Sequence, residues 1–462
     1  MSEIQPLQVK SGNTNVTLSL INDNFSIAFD NSIHGKPISI PSRNILDISL
    51  KTLESTTSAN VIINALVGVK KLCLKSFNYS PVDIELATSW TKSVKDVIYK
   101  KTKPSKHLKV FINPFSGTGK ATKVFNNEIK PIFDAAGCTY DITITKDINN
   151  ARDIMQTIDL KPYDAIVGVS GDGIIHEIIN GLLTRENLND ATIPIGVIPA
   201  GSGNALNICL HGEAVCRSLQ HSALTIVKGV PMKIDVCSIT QGDKRFFSFM
   251  SQTYGVIADC DLGTENLRCL GGFRFIIGAL KAIIEGRSYG CELAMKVAES
   301  NKDIIRDTYR KEYTSNRNSV PMSCDNKYGT VNDPIPDDWT ILTDDVSTIL
   351  GGKVPWIGKG TIPFTYALPS DGLIDLVVAR RDKLSRIKSL TFMTELETGN
   401  HIKMKEIDYY KVEAFRLTPK NSKNGYISID GENADFAPFQ VEVLSQLINI
   451  ISIDGKYQYV DI

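Results

Sequence analysis

No stretch of the sequence approaches the about 18 consecutive apolar residues that a membrane-spanning helix needs. Net charge is also absent, since Lys plus Arg and Asp plus Glu each number 51. No global field therefore draws the chain to nucleic acid or to an anionic membrane, and any such attraction has to be local. The nine cysteines are odd in number and include no CxxC pair, which argues against a disulfide framework or a zinc site and for reduced thiols. Met1-Ser-Glu-Ile lacks the basic and apolar regions of a secretory signal, Ser2 replaces the glycine that myristoylation requires, and Val460-Asp-Ile462 is no prenylation signal. The expectation is a cytoplasmic chain whose sequons at Asn15, Asn24 and Asn78 carry no glycan. At 462 residues, with 42% hydrophobic and 22% charged positions, the composition is that of a soluble globular protein of two or three domains.

Three glycine-rich turns hold most of the information that is present: Asn113-Pro-Phe-Ser-Gly-Thr-Gly-Lys-Ala121, Ser170-Gly-Asp-Gly173 and Gly201-Ser-Gly203. Each follows a short apolar run that reads as a strand, Val110–Ile112, Ala165–Val169 and Ile193–Ile198, and each leads into a helical pattern. Glycine lets the backbone turn tightly and approach a ligand, while a new helix offers unpaired N–H groups and the positive end of its dipole. Such ends bind phosphate. Three of them at one sheet edge, one holding an aspartate, read as a nucleotide site with a base beside it.

Motifs with similar letters are excluded. Gly117-Thr-Gly-Lys120 is followed by Ala121, so the hydroxyl residue and the glycine spacing of a P-loop are missing. Thr122 stands where a dinucleotide fingerprint has its third glycine, and Asn180 where a zinc-protease helix has its second histidine.

Together the segments resemble the diacylglycerol-kinase catalytic domain, and within that family they are most similar to the sphingosine (long-chain base) kinases. The resemblance starts near His107 and runs through Asn113-Pro114, Ser170-Gly-Asp-Gly173 with His176-Glu177 and Asn180-Gly181, and Pro199-Ala-Gly-Ser-Gly-Asn204. It continues in Tyr254-Gly-Val-Ile-Ala-Asp-Cys-Asp261, Arg268, Arg274 and Ser428-Ile-Asp-Gly-Glu432.

The fold class expected is α/β plus all-β. Residues 1–104 carry short alternating runs such as Val16–Ile21, Ser26–Phe29, Ile38–Ile40 and Val61–Leu66, then a helical face of Leu86, Trp90, Val94, Val97 and Ile98. That is the pattern of a small β-rich, pleckstrin-homology-like domain closed by a helix, serving either to target lipid or protein or to pack on the core. Residues 105–230 alternate strand and helix patterns, predicting a parallel sheet in an α/β nucleotide-binding domain with ligands at the strands' carboxyl ends. Residues 231–462 are rich in strand patterns: Lys233–Ile239, Phe246–Tyr254, Thr361–Ala367, Leu373–Val378, Val412–Leu417, Tyr426–Ile429 and Val441–Leu444. They predict an antiparallel β-sandwich domain, interrupted by a polar surface insertion at about 299–338.

The resemblance implies ATP and Mg²⁺ as cofactors and a sphingoid base as lipid substrate. It assigns Asp172 as the general base that takes the proton of the lipid's primary hydroxyl; from Gly-Asp-Gly alone, an aspartate capping the next helix is an equal alternative. It assigns Asn113, Pro114, Phe115, Thr145, Asn149, Glu177, Gly201, Ser202, Gly203, Arg268, Arg274, Asp430, Gly431 and Glu432 to the nucleotide. Lys120 either adds charge there or is solvated, and His176 is structural or functional. Ser170, Gly171, Gly173 and Asp261 fall to the substrate. A carboxylate at Asp261 suits the charged amine of a sphingoid base, whereas neutral diacylglycerol offers no cation to offset its desolvation; the alternatives are Asp259 in its place or a structural role for both. Leu270, Phe273, Ile276, Ile277, Leu280 and Ile284, with Leu384, Ile387, Leu390, Phe392, Met393 and Leu396, lie on segments that border the family's lipid cleft, though core packing explains them equally.

The expected partners are a sphingoid lipid and, peripherally, intracellular membranes, with no nucleic acid and with a homodimer left open. The nearest rival is a ceramide or diacylglycerol kinase using the same aspartate. A second is a binding module whose kinase domain is inactive, against which the retention of all three turns, Asp172 and both arginines argues.

Overall fold

The computed structural model describes residues 4–30, 36–52, 59–69, 71–117, 119–186, 191–263, 278, 285, 287–314, 326–420 and 425–461. The N-terminal part is a seven-stranded antiparallel sheet in the spatial order Ile38–Pro41, Asn24–Phe29, Thr14–Ile21, Leu7–Ser11, Cys73–Pro81, Ala59–Val67, Ile45–Thr52. Its alternating sequence buries Val16, Leu18, Phe25, Ile27, Val61 and Ile63 on one face. The helix Ile84–Ile98 closes it, with Asp83 accepting from the Leu86 amide as N-cap. This helix buries Ala87, Trp90, Val94 and Ile98, whereas Leu86, expected on that face, is 51% exposed. It ends at Ile98 because Tyr99 turns inward and donates its hydroxyl to Leu46 O.

Packing against the rest of the molecule, one of the two roles open to this domain, is present. Val9, Trp90 and Ile98 share a core cluster with Leu108, Phe125, Phe133 and Ile226. Polar contacts cross the same seam: Asn64 Nδ2 donates to Ala135 O at 3.0 Å and Lys228 Nζ to Ile98 O at 3.0 Å.

Four parallel strands follow, ordered Thr139–Ile144, His107–Ile112, Ala165–Ser170 and Pro194–Pro199. Val110, Phe111, Val167 and Ile195 are fully buried, as strands covered on both faces require. Pro194–Pro199 then pairs in parallel with Phe439–Ser452, which itself pairs antiparallel with Val230–Gln241 and Ile407–Pro419. One strand from the end of the chain thus joins the parallel half to the antiparallel half in a single sheet of fourteen described strands.

The antiparallel half differs from expectation in five places. Phe246–Tyr254, read as one strand, divides into Lys244–Ser248 and Ser251–Gly255, because the amides of Phe249, Met250 and Ser251 turn aside to Asp430. Thr361–Ala367 is not a strand: only Thr361 forms a bridge, to Gly358, and Pro363 has no N–H to continue a ladder. Tyr289–Glu299 and Thr340–Gly352 are strands that the pattern did not reveal. The segment expected as a surface insertion contains the helix Lys302–Thr314, which buries Ile305 and Tyr309. Further on, the amides of Lys327 and Tyr328 are bound by Glu442, and the carbonyls of Thr330 and Asp333 by Arg416; residues 315–325 lie outside the described ones. No helix among the described residues is long and apolar enough to cross a membrane.

Candidate active site

The three glycine turns meet. A Cβ on Gly117, whose φ is +61, would lie 3.0 Å from both Cα and C of Gly201. One on Gly171 would lie 2.5 Å from Gly203 O, and one on Gly201 only 2.4 Å from Gly171 N. Glycine at 171 and 201 is thus required by backbone contact between turns rather than by handedness. The Ala200 amide donates to Ser170 O at 2.8 Å and the Asn113 amide to Val169 O at 3.3 Å, so strand pairing runs up to the turns and fixes their register. Asn113 Oδ1 accepts from the Phe115 amide at 2.9 Å, an Asx turn that leaves the Phe115 ring 71% exposed. Ser202 is exposed, and Asn204 braces its turn through a 2.8 Å bond from Nδ2 to Gly201 O.

The helix Asp172–Leu183 has two faces. Ile174, Ile175, Ile178, Ile179, Leu182 and Leu183 are all buried, the stripe expected at helical spacing. Its polar residues each hold a different neighbour. Asp172 is 6% exposed and its carboxylate accepts from the amides of Ala205 at 2.7 Å and Leu206 at 3.1 Å. It therefore occupies the N-terminus of the helix Ala205–His211, whose own N-cap Asn204 makes no side-chain cap bond. Burial raises the Asp172 pKa, and the two amides pull against that rise without cancelling it. Glu177 accepts from the Ala151 amide at 3.0 Å at the start of the helix Asn150–Thr157, and burial likewise raises its pKa against the amides it binds. Asn180 pairs with the strand Lys244–Ser248 as a second peptide would: Nδ2 donates to Phe247 O at 2.8 Å and Oδ1 accepts from Phe247 N at 2.9 Å.

His176 lies with Nδ1 2.9 Å from Asp430 Oδ2 and Nε2 3.2 Å from Asn180 Nδ2. Burial lowers the imidazole pKa, while Asp430, Glu432 and Glu177 outweigh it and leave the balance above the ordinary value. Yet the Asn180 amide, oriented by Phe247, presents its donor side to Nε2. The same Nδ2 donates to Phe247 O at 2.8 Å and to His176 O at 3.0 Å, which occupies its two hydrogens and leaves the 3.2 Å approach to Nε2 as a weak contact; the geometry assigns a proton to Nδ1, facing Asp430.

Asp430 arrives from the far end of the chain in the hairpin Ile427–Ile429, Glu432–Ala434. Asp430 and Gly431 have φ of +53 and +85, the left-handed pair that a two-residue Asp-Gly hairpin turn demands. The buried Asp430 carboxylate accepts from the Ser248 hydroxyl at 2.6 Å and from the amides of Phe249, Met250 and Ser251 at 3.0, 3.0 and 2.9 Å. Beyond the turn, Glu432 Oε1 lies 3.7 Å from where a Cβ of Gly173 would stand. This turn and the Ser170–Gly173 turn are therefore neighbours.

The other predicted positions are more dispersed. Thr145 is buried and its hydroxyl reaches Ile112 O at 3.4 Å, while Asn149 adopts a left-handed φ of +67 ahead of the helix Asn150–Thr157. Asp261 accepts from the Ser428 hydroxyl at 3.0 Å, on the strand leading to Asp430. Asp259, on the same helix Val256–Leu262, is held by Tyr289 OH at 2.5 Å and Arg287 Nη1 at 2.8 Å. A small cavity beside this helix is lined by Val256, Ile257, Thr348, Ser389, Phe392 and Met393. Leu384, Phe392 and Leu396 are buried, but Ile387 is 77% exposed. Arg268, Arg274, Leu270, Phe273, Ile276, Ile277, Leu280 and Ile284 lie outside the described residues. Sequence reasoning gave no role to the braces Asn204, Ser248 and Ser428, although Asn204 closes one of the motif segments and Ser428 opens another. Among the described residues no group of three or more His, Cys, Asp and Glu side chains is placed to hold a metal ion.

Comparison with known proteins identifies the family. Residues 107–239 match the diacylglycerol kinase catalytic domain, and residues 341–452 the YegS C-terminal NAD kinase beta sandwich-like domain. Sphingoid long chain base kinase 4 of Schizosaccharomyces pombe is 33% identical over 92% of this chain and 90% of its own length. Sphingosine kinase 1 of Arabidopsis thaliana is 33% identical, covering 77% of this chain and 74% of its own; sphingosine kinase 1 of Homo sapiens is 30% identical, covering 70% and 85%. A solved Bacillus anthracis str. Sterne protein, provisionally described as a diacylglycerol kinase, superposes on 76% of this chain and 98% of its own with a TM-score of 0.52 at 18% identity, a likeness of fold.

Proposed function

The chain belongs to the sphingoid long-chain base (sphingosine) kinases, and on that premise we propose that it transfers the γ-phosphoryl group of ATP to the primary hydroxyl of long-chain bases such as sphingosine, dihydrosphingosine and phytosphingosine. The new bond joins the lipid oxygen to the γ-phosphorus, the bond to the β-phosphate oxygen breaks, and ADP leaves. The observation that carries this reading is the contact of the three glycine turns around Asp172, with Gly171 packed on Gly203 and Gly117 on Gly201. Their amides form a cradle for phosphates at the carboxyl ends of parallel strands.

In this reading Asp172 is the general base. Each carboxylate oxygen accepts one amide bond and keeps a further lone pair for the alcohol. A helix end orients the group, and burial lifts its pKa toward the range useful for a base. Such a base contributes about 10²–10⁴-fold to the rate; positioning and charge neutralisation supply the rest. Asn113, Pro114, Phe115, Thr145, Asn149, Glu177, Gly201, Ser202, Gly203, Arg268, Arg274, Asp430, Gly431 and Glu432 form the proposed nucleotide site. Ser170, Gly171, Gly173 and Asp261 border the lipid head group. Mg²⁺, entering with ATP, would neutralise its phosphates. Peripheral contact with intracellular membranes from the cytoplasmic side supplies the lipid.

The test incubates purified protein with labelled ATP and, separately, sphingosine, dihydrosphingosine, phytosphingosine, ceramide and diacylglycerol. Label on the sphingoid bases alone is expected. Label on ceramide or diacylglycerol in preference would move the assignment to the rival lipid kinase.

A further inference from the structure

Of the four polar residues that the helix Asp172–Leu183 spends on its surroundings, His176 is the one that reaches the turn Asp430–Glu432. We propose that His176 is a positioning residue for phosphoryl transfer: with its proton on Nδ1 it donates to Asp430 and so sets the turn Asp430–Glu432 against the end of the helix that bears Asp172.

The links are short and buried. Asp430 has no freedom on its own side, since four donors from Ser248–Ser251 hold its carboxylate. His176 Nδ1, at 2.9 Å, joins that fixed point to the helix. The left-handed Asp430 and Gly431 then hand the chain directly to Glu432, whose Oε1 lies 3.7 Å from where a Cβ of Gly173, next to Asp172, would stand. The imidazole is itself held at its other end: Asn180 Nδ2 lies 3.2 Å from Nε2, and Asn180 is anchored on Phe247, one residue from Ser248. Asn180 Nδ2 also donates to His176 O at 3.0 Å, so the imidazole is bonded to Asp430 at Nδ1 and abuts the anchored Asn180 at Nε2. A rigid ring between two fixed partners sets the distance between the catalytic helix and the turn to a fraction of an ångström, and misplacement by about 1 Å can cost about 10²-fold.

This rests on the kinase reading of the site, and the test separates the two. In His176→Asn the side-chain nitrogen falls near the Nδ1 position and can still donate to Asp430, while in His176→Gln it falls near Nε2 and cannot. Rates against ATP concentration with sphingosine, and thermal midpoints, are measured for His176→Asn, His176→Gln and His176→Ala. The expected result is kcat/KM for ATP lowered about tenfold or more in Gln and Ala but within about threefold of the natural protein in Asn, with similar midpoints for Asn and Gln. Equal rates for Asn and Gln, or an unaffected Ala variant, would overturn the proposal. Should the natural protein transfer no phosphoryl group, the kinase reading fails instead, and hydrogen exchange of amides 427–434 decides. Protection kept in Asn and lost in Gln and Ala supports the positioning role, and protection unchanged in all three refutes it.

Discussion

The ammonium of Lys228 stands 3.5 Å from the centre of the Tyr99 ring and donates to Ile98 O at the end of the N-terminal helix. It tethers the N-terminal sheet to the catalytic half, and burial pushes its pKa down to about 7 from an ordinary 10.5, with Asp47 pulling the other way. Between those two values the unfolded chain binds a proton that the folded one does not, so this lysine makes stability rise with pH across that window. Replacing it in Lys228→Met removes the dependence. Denaturant unfolding of both proteins at pH 7 and pH 9 should show the variant's relative stability falling as pH rises. An identical difference at both pH values would contradict the buried, pKa-lowered ammonium.

Gly171 and Gly173 lie two residues apart and should respond in opposite ways to a methyl group. At Gly171 the added carbon meets Gly203 O at 2.5 Å, a backbone atom that cannot yield, so Gly171→Ala should separate the turns and abolish nucleotide binding. At Gly173 the nearest atom is the end of Glu432 at 3.7 Å, and the position is helical, so Gly173→Ala should hold or gain about 0.5–1 kcal/mol of stability. Nucleotide titration and thermal unfolding read the pair, and a tolerant Gly171→Ala is the adverse result.

Asp261→Asn removes the charge proposed to meet the substrate amine while leaving an acceptor for the Ser428 hydroxyl. Loss of a charge-assisted bond of about 1.5–3 kcal/mol should raise the KM for sphingosine about 10–100-fold and leave the KM for ATP nearly unchanged. An unaltered preference between sphingosine and diacylglycerol would discard the head-group role.

Asn180→Leu should cost stability rather than chemistry alone. The Phe247 N–H and C=O lose their side-chain partners in a buried seam, at about 1–3 kcal/mol for each group left unsatisfied. Calorimetry should show a clear drop in the unfolding midpoint, and a variant as stable as the natural protein would mean that the pairing does not hold helix to strand.

What was legible in the chain was local. The glycine turns stand out because backbone contacts such as Gly171 to Gly203 admit no other residue, and the stripe from Ile174 to Leu183 because a helix between sheet and core buries every third or fourth position. The Asp-Gly turn at 430–431 is equally local. Long-range partners were not legible. Asp430 meets the Ser248–Ser251 segment about 180 positions away, and that meeting breaks what its apolar letters, Phe246 to Tyr254, present as one strand. Thr340–Gly352 carries Asp344 and Asp345 and has no clean alternation, so it becomes a strand through its ladders to Tyr289–Glu299 and Ile374–Arg380. Thr361–Ala367 misled in the other direction, since burial of Phe364 and Tyr366 requires no ladder. Of the two readings its motif allowed, capping is the one seen at Asp172, though on the helix beginning at Ala205 rather than its own; the general base is proposed.

The central claim is that the Asp172 carboxylate takes the proton of the lipid alcohol, and Asp172→Asn tests it most directly. The variant keeps one acceptor for the Ala205 amide and loses the base, so single-turnover transfer from labelled ATP to sphingosine should fall about 10²–10⁴-fold while ATP still binds. Transfer within about threefold of the natural protein, with nucleotide binding intact, would contradict the account.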